Sequence, residues 1–236
     1  MNDHTQARQD RITAWFNNVY RRKGRRYLRP VKAYYIFLEL LDLAAGESLL
    51  DVACGPGHLL RAASEYGYRM FGVDISEVAV EQARAQLPRA AIVRANAECL
   101  PYADAQFNAV TCTGSLERMV DVRQVLAELL RVGTKDARYC FLVRNSNTFS
   151  WKYLTGSPQA RDARGHQGAN SETGWRELFE SAGFRVIRTL PDQYPLHQFA
   201  LWSGLHLRKV DYRQVMHSAR PLERAYEFVY LLEKSS

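Results

Sequence analysis

Cysteine is scarce in this 236-residue chain: Cys54, Cys99, Cys112 and Cys140 stand far apart with no CxxC pair. That spacing argues against a zinc site or a disulfide framework, so buried free thiols and no metal are expected. Long apolar runs are also missing, and none approaches the ~20 residues that a membrane-spanning helix needs. The opening residues MNDHTQARQD are polar and hold no apolar signal core, so a cytoplasmic chain without an integral membrane segment is expected. No internal repeat and no low-complexity tract is present. One further shortage matters most. The glycine cluster at Gly55 and Gly57 has Leu60 where a dinucleotide-binding G-x-G-x-x-G pattern needs a third small residue.

What is present describes an ordinary globular chain, 47% hydrophobic and 24% charged, long enough for one sizeable core. Strand and helix patterns alternate, which indicates an α/β sheet. Expected strands are Ser48 to Ala53, Arg69 to Asp74, Ala91 to Ala95, Phe107 to Thr113, Arg138 to Arg144, Phe184 to Leu190 and Tyr226 to Leu232. Helices are expected after the glycine turn from His58, over SEVAVEQARAQLP with Ser76 as N-cap, over DVRQVLAELLRV, and over Ser171 to Ala182. In the second of these, Val78, Val80, Ala83 and Leu87 are the expected inward stripe.

Three segments break the alternation and divide the chain into a 1–47 N-terminal helical cap and a 48–236 domain with insertions at 144–170 and 191–224. Together they carry 18 Lys and Arg against 9 Asp and Glu, a net +9, while the remainder of the chain is at −2. Positive charge therefore belongs to the additions, and it speaks to partners and steering more than to fold.

The stretch LLDVACGPGHLL, residues 49–60, reads as a buried strand, a tight turn and a helix start, the way a nucleotide site is built. A pyrophosphate over that turn would be opposed by the carboxylate of Asp51. A ligand with a cationic group near the turn suits it instead. Asp74, at the end of the second strand, is placed to accept from a ribose diol. A nucleoside with a cationic amino-acid tail, S-adenosylmethionine, satisfies both acids.

LLDVACGPG, then FGVDIS, then NAECLPYADAQFNAV resemble the class I S-adenosylmethionine-dependent methyltransferases, most of all their small-molecule, type 11-like branch; the likeness covers Ser48 to Asn145. It implies a doubly wound, seven-stranded Rossmann-like sheet, mostly parallel with an antiparallel last strand, and S-adenosyl-L-methionine as cofactor. It also implies that Asp51, Ala53, Gly55 and Gly57 line the methionine and ribose part, and that Asp74 and Ile75 flank ribose and adenine. Asn96, Ala97 and Glu98 would meet the adenine edge, and Thr113 to Leu116, Ser115 among them, would floor the site. Asn96 and Asn108 stand where many relatives have Asp, and Arg118 where many have His, so no catalytic base is assigned. GTKDA replaces the usual Pro-Gly-Gly turn before the fifth strand and is expected to alter a surface turn only.

A sulfonium is already a good leaving group, so transfer of its methyl chiefly needs a positioned nucleophile and exclusion of water. Acceptor identity falls to the additions, from which Tyr20, Tyr27 and Trp151, with Arg118, are the candidate acceptor contacts. His58, His166 and His197 are expected to be surface or loop residues, and Tyr102 a packing residue. RRKGRR, residues 21–26, is either a solvated face or a binding run beside Tyr20 and Tyr27. The leading function is methyl transfer to a small-molecule metabolite, with anionic and lipid-linked acceptors both open. A nucleic-acid (RNA) methyltransferase ranks lower, since no RNA-binding module and no nucleobase-pocket motif such as NPPY is visible. A non-catalytic nucleotide-binding scaffold is the third reading. Oligomeric state is not encoded in any motif.

Overall fold

A computed structural model of the chain describes residues 3–24, 28–154, 168–192, 194 and 221–235. Arg25, Arg26, Tyr27, His166, His197 and Trp202, together with most of the 191–224 insertion, lie outside the described residues.

Seven strands form one sheet in the order β3-β2-β1-β4-β5-β7-β6. They are β1 (Ser48–Val52), β2 (Arg69–Asp74), β3 (Ala91–Arg94), β4 (Phe107–Thr113), β5 (Gly133–Arg144), β6 (Phe184–Asp192) and β7 (Glu227–Lys234). β1 pairs in parallel with β2 on one side and β4 on the other, and β7 runs antiparallel to both β5 and β6. Every residue of β1 is buried, as a parallel strand covered on both faces must be, which explains why SLLDV reads as a nearly continuous apolar run around one acid. Strand order reverses at β1 and β4. The crevice at the carboxyl ends of those two strands is where α/β sheets bind ligands.

Helices α1 (Asp3–Lys23), α2 (Tyr35–Leu41), α3 (His58–Ala63), α4 (Glu77–Gln86), α5 (Val122–Val132) and α6 (Glu172–Ser181) cover the sheet. Side-chain caps start three of them. Ser76 accepts from Ala79 N–H, Asp121 from Gln124 N–H and Ser171 from Gly174 N–H, each satisfying a donor that a helix start leaves open. α5 buries Val125, Leu126, Leu129 and Val132, a stripe at helical spacing. On α4 the buried positions are Ala79, Val80 and Ala83, so Ala79 replaces Val78 in the expected stripe. One core carries Phe107, Tyr139, Phe141, Phe179, Phe184 and Tyr230; the other gathers Phe37, Leu41, Leu59, Leu60 and Val80 with their neighbours. Tyr102 packs edge-on against Phe71 and Phe107, as a packing residue should.

α1 lies across the start of α4. Asn17 Oδ1 accepts from the Ser76 hydroxyl at 2.6 Å, and Gln82 Nε2 donates to the Tyr20 carbonyl at 3.3 Å. Among the described residues no helix is long and apolar enough to cross a membrane.

The structure departs from the sequence reading at several ends. β1 stops at Val52 because Ala53 turns into the left-handed region, φ 56°. GTKDA is not a surface turn: β5 begins at Gly133, and its pairing with β4 shifts register between Phe107 and Ala109. A side chain at Gly133 would meet the Tyr139 hydroxyl at 2.1 Å, so only glycine fits there. Cys99 is exposed, whereas the other three cysteines are buried as expected. Of the 144–170 insertion, an isolated bridge joins Asn145 to Asn170 and a π-helical turn spans Ser150–Leu154.

Gly57, at φ 81°, precedes α3, and a Cβ there would stand 2.8 Å from Leu87 Cδ1. Gly57→Ala therefore combines left-handed strain with a clash against α4 and is expected to lower unfolding free energy by about 1–3 kcal/mol. Gly46→Ala, at φ 86° with nothing within 4 Å, isolates the backbone part and should cost less. Urea unfolding of both variants measures the difference, and equal midpoints for Gly57→Ala and the parent would show that the turn relaxes freely.

Candidate functional site

The glycine turn is built by backbone conformation and two acids. Ala53 and Gly55 both take positive φ, 56° and 53°, which folds the chain sharply out of β1 and bares its backbone. Asp51 lies opposite Thr111 in the β1–β4 pairing, and the Thr111 hydroxyl donates to Asp51 Oδ1 at 2.7 Å. Only 2% of Asp51 is exposed. Burial pushes its carboxyl up to about 7; the Thr111 bond pulls down and the charge of Asp74 adds to the rise. Asp74 accepts from Gly55 N–H and Ser76 N–H at 2.8 Å each. Burial raises Asp74 to about 6 against the opposing pull of those two backbone donors.

Two cavities adjoin at this turn. The first is bordered by Asp74, Ile75, Asn96 and Ala97 on the sheet side and by Gln9, Ile12, Phe16 and Tyr20 of α1. The second is bordered by Asp51, Gly55, Thr113, Leu28 and Tyr34. Phe16, Tyr20, Ala53, Ser115 and Arg118 line both and form the wall where they meet. Phe16 and Tyr20 stack with ring centroids 6.0 Å apart. The Arg118 guanidinium lies 5.4 Å from the Phe16 ring centroid and 5.8 Å from that of Trp15, while its Nε approaches the Gly114 carbonyl at 3.4 Å.

The fold thus brings most of the expected site residues to one cleft: Asp51, Ala53, Gly55, Asp74, Ile75, Asn96, Ala97, Thr113 and Ser115, with Tyr20 and Arg118. Three expected contacts stand elsewhere. Gly57 lines neither cavity and packs on Leu87 and Ala83. Glu98 accepts from Gln9 Nε2 at 2.6 Å and from Asp121 N–H at 3.0 Å, outside both cavities. Trp151 is buried beneath the Arg144 guanidinium, 5.7 Å away, and also lines neither. Tyr27 is outside the described residues. Asn96 spends its Oδ1 on Glu98 N–H at 3.0 Å, which leaves the amide nitrogen as its donor edge.

Sequence reasoning missed Gln9, Ile12 and Phe16 as cleft residues and Thr111 as the partner of Asp51. A signal existed for part of this: Ile12, Phe16 and Tyr20 recur every four residues, the stripe by which α1 faces the cleft. His58 is not a surface residue. It is 5% exposed, and its Nδ1 lies 2.8 Å from the Arg29 carbonyl.

Behind the second cavity runs a buried charge network. Arg29 bridges Asp192, at the end of β6, and Glu227, at the start of β7, and its guanidinium lies over the Tyr194 ring at 4.7 Å. Arg144 reaches Glu227 at 3.3 Å. Burial opposes the charge on Arg29, but Asp192 and Glu227 outweigh it and hold the guanidinium charged.

Comparison with known proteins points to one family. Residues 50–141 match the model of a methyltransferase domain. The chain is 39% identical over 106 residues to a 2-phytyl-1,4-naphtoquinone methyltransferase of Trichormus variabilis, covering 41% of this chain and 46% of that protein. It is 25% identical over 198 residues to a demethylmenaquinone methyltransferase of Renibacterium salmoninarum, covering 81% and 79%. Several curated relatives are matched over less than half of their length, one Streptomyces fradiae protein over 30%. Among solved structures, a putative methyltransferase of Haloferax volcanii, seen in complex with the Trm112 methyltransferase activator, superposes with a TM-score of 0.70 at 18% identity, over 94% of this chain and 98% of that one.

The raised Asp51 carboxyl has a measurable consequence. Near pH 6 it is largely protonated in the free protein, and a ligand that sets an ammonium beside it must release that proton. Calorimetry with S-adenosylhomocysteine in two buffers of different ionisation heat should show close to one proton released near pH 6, falling toward zero by about pH 8. Asp51→Asn should leave only the smaller release that Asp74, itself raised to about 6, can supply. Because both acids titrate above their unfolded value of about 4, the stability they contribute is complete below that pH and is lost as pH rises through 6 to 7. Proton release that is undiminished in Asp51→Asn would place the ammonium elsewhere.

Proposed function

We propose that this chain, which belongs to the class I S-adenosylmethionine-dependent methyltransferases, transfers a methyl group to a small aromatic acceptor bearing an ionisable hydroxyl. The observation that carries the reading is the pair of cavities sharing one wall, each bordered by one of the two acids.

The first cavity suits the nucleoside. Asp74 keeps lone pairs for ribose hydroxyls beyond the two backbone donors it already accepts, Ile75 and Ala97 offer apolar faces to a base, and Asn96 offers its amide nitrogen. The amino-acid tail belongs at the turn. Asp51 is a buried carboxyl whose one side-chain donor among the described residues, Thr111, leaves its second oxygen open to a cation, and Ala53 and Gly55 bring backbone close beside it. When bound, the cofactor supplies an activated methyl on a sulfonium. Residues of the shared wall do the rest: Phe16 and Tyr20 exclude water, and Ser115 and Arg118 border the line between donor and acceptor.

The acceptor shares the second cavity with the amino-acid tail, the tail at Asp51 and Gly55 and the acceptor against the aromatic and apolar part of the lining. That part, Phe16, Tyr20, Tyr34, Leu28 and Leu59, suits a flat ring. Arg118 supplies the positive charge that favours an ionised oxygen, and the three additions add their net +9. Relatives named for demethylmenaquinone and phytylnaphtoquinone methylation support the same chemistry, including its lipid-linked form.

Calorimetry with S-adenosylmethionine, S-adenosylhomocysteine and NAD tests the cofactor, with NAD expected not to compete; tighter NAD binding would sink the assignment. Asp74→Asn is expected to weaken cofactor binding by about 1.5–3 kcal/mol, the range for hydrogen bonds involving a charged group. Label from methyl-labelled S-adenosylmethionine should appear on 1,4-naphthoquinol and not on RNA. Labelled RNA with unlabelled quinol would replace this acceptor class.

A further inference from the structure

A third cavity lies outside the two that meet at the glycine turn. Gln6, Gln9, Asp10 and Thr13 border it from α1, and Ile75, Arg94, Ala95 and Asn96 border it from the sheet. Gln9, Ile75, Ala95 and Asn96 also line the first cavity, so these four residues are a wall common to both. The outer side of that wall is polar and faces solvent. Gln6, Asp10 and Arg94 are exposed, and Gln6 Nε2 donates to Asp10 Oδ1 at 2.8 Å. Arg94 is tethered by its Nε bond to the Ile75 carbonyl at 3.3 Å.

The wall stands at the end of the nucleoside cavity away from the glycine turn. Asp74, where the ribose is placed, closes β2 and is followed by Ile75; Ala95 and Asn96 follow β3, the strand at the sheet edge. A base reaching out from Asp74 between Ile75 and Ala97 ends against Gln9, Ala95 and Asn96. Hydrogen bonds already made there decide which edge of a base suits the wall. Asn96 Oδ1 accepts from Glu98 N–H, and Gln9 Nε2 donates to Glu98 Oε1. That leaves the Asn96 amide nitrogen to donate to a ring nitrogen, and Gln9 Oε1 to accept one N–H of an amino group. The adenine 6-amino group has two hydrogens, and this arrangement engages one. The other has the outer cavity in front of it.

We propose that the cofactor site is open at the adenine 6-amino group, and that the outer cavity is a binding site for a polar chain carried on that nitrogen. The ligand class is an adenosyl thioether or sulfonium with a single unbranched, hydroxyl-ended substituent there. This rests on the seating of the nucleoside in the first cavity. The chain passes the wall beside Gln9 and lies among Gln6, Asp10, Thr13 and Arg94, whose amide, carboxylate, hydroxyl and guanidinium match a polar chain. Cofactor selection is thereby strict at the ribose, where Asp74 is buried and already accepts two backbone N–H groups, and loose at the 6-amino group.

The test is calorimetry on the full chain with S-adenosylhomocysteine and two derivatives, one with a 4-hydroxybutyl chain on the 6-amino nitrogen and one with the same chain on the ribose 2′ oxygen. The amino-substituted ligand is expected to bind within about tenfold of S-adenosylhomocysteine, the cost of ordering one flexible chain. The ribose-substituted ligand, whose chain meets buried Asp74, should bind about 100-fold more weakly or worse. Thr13→Trp and, independently, Gln6→Trp fill the outer cavity from positions that do not line the first one. Each should keep the parental affinity for S-adenosylhomocysteine, which also shows that the variant is folded, and weaken the amino-substituted ligand about tenfold. A parent that binds the amino-substituted ligand as poorly as the ribose-substituted one overturns the opening and leaves the proposed function standing. Parental affinity for the amino-substituted ligand in both tryptophan variants overturns the outer cavity as its site. A parent that binds none of the three ligands overturns the seating of the nucleoside and this inference together.

Discussion

Asp74 holds two backbone donors at once, Gly55 N–H through one oxygen and Ser76 N–H through the other, and the whole cleft is hung on that grip. The first bond fixes the turn after β1, and the second fixes the entry to α4. Ser76 then caps α4 through Ala79 N–H, and its hydroxyl donates to Asn17 of α1. One chain of hydrogen bonds therefore runs from the glycine turn through the sheet edge to the helix above it. Charge-assisted bonds of this kind are among the stronger ones, which offsets part of the cost of keeping Asp74 buried.

α1 completes the site from above. It brings Ile12, Phe16 and Tyr20 to the cleft at one-turn intervals, and Gln9 ties its early part to Glu98. Farther along the N-terminal segment, Arg29 is locked between Asp192 and Glu227, and its carbonyl meets His58 at the start of α3. The N-terminal segment is thus fastened to both ends of the sheet order, to α4 beside β2 and to the β6–β7 edge. A ligand under such a cover would meet little water, and the low-dielectric surroundings would strengthen each charge that borders it.

The same surroundings shift acids in one direction. Asp51, Asp74 and Glu117 are all buried with too few donors, and all three are raised. For Asp51 and Asp74 the missing compensation matches a ligand of opposite charge or with hydroxyl groups to donate, so the free protein stores in these residues a free energy that binding recovers. Asn108 shows the contrasting case. Its Oδ1 accepts from both the Ser48 N–H and hydroxyl, pinning β1 to β4 without a charge to bury.

Local rules made much of this legible in the sequence. Strand positions followed from short apolar runs and helix starts from Ser76, Asp121 and Ser171, because these depend on side-chain periodicity and capping within a few residues. That Asp51, Gly55 and Asp74 converge at one turn was readable because a strand running into a glycine turn next to a second strand end brings these positions together. What only the tertiary structure decided depends on contacts between distant segments. Thr111 as the partner of Asp51 is a matter of strand register, the facing of Phe16 and Tyr34 into the cleft is a matter of helix placement, and the placement of Gly57 and Glu98 outside the two cavities reflects neighbours remote in sequence. Glu117 is the sharpest instance: in sequence it is one more charged residue, and its want of a donor exists only once Arg144, Glu227 and the core have closed around it, since desolvation is a property of the packed interior and not of the residue.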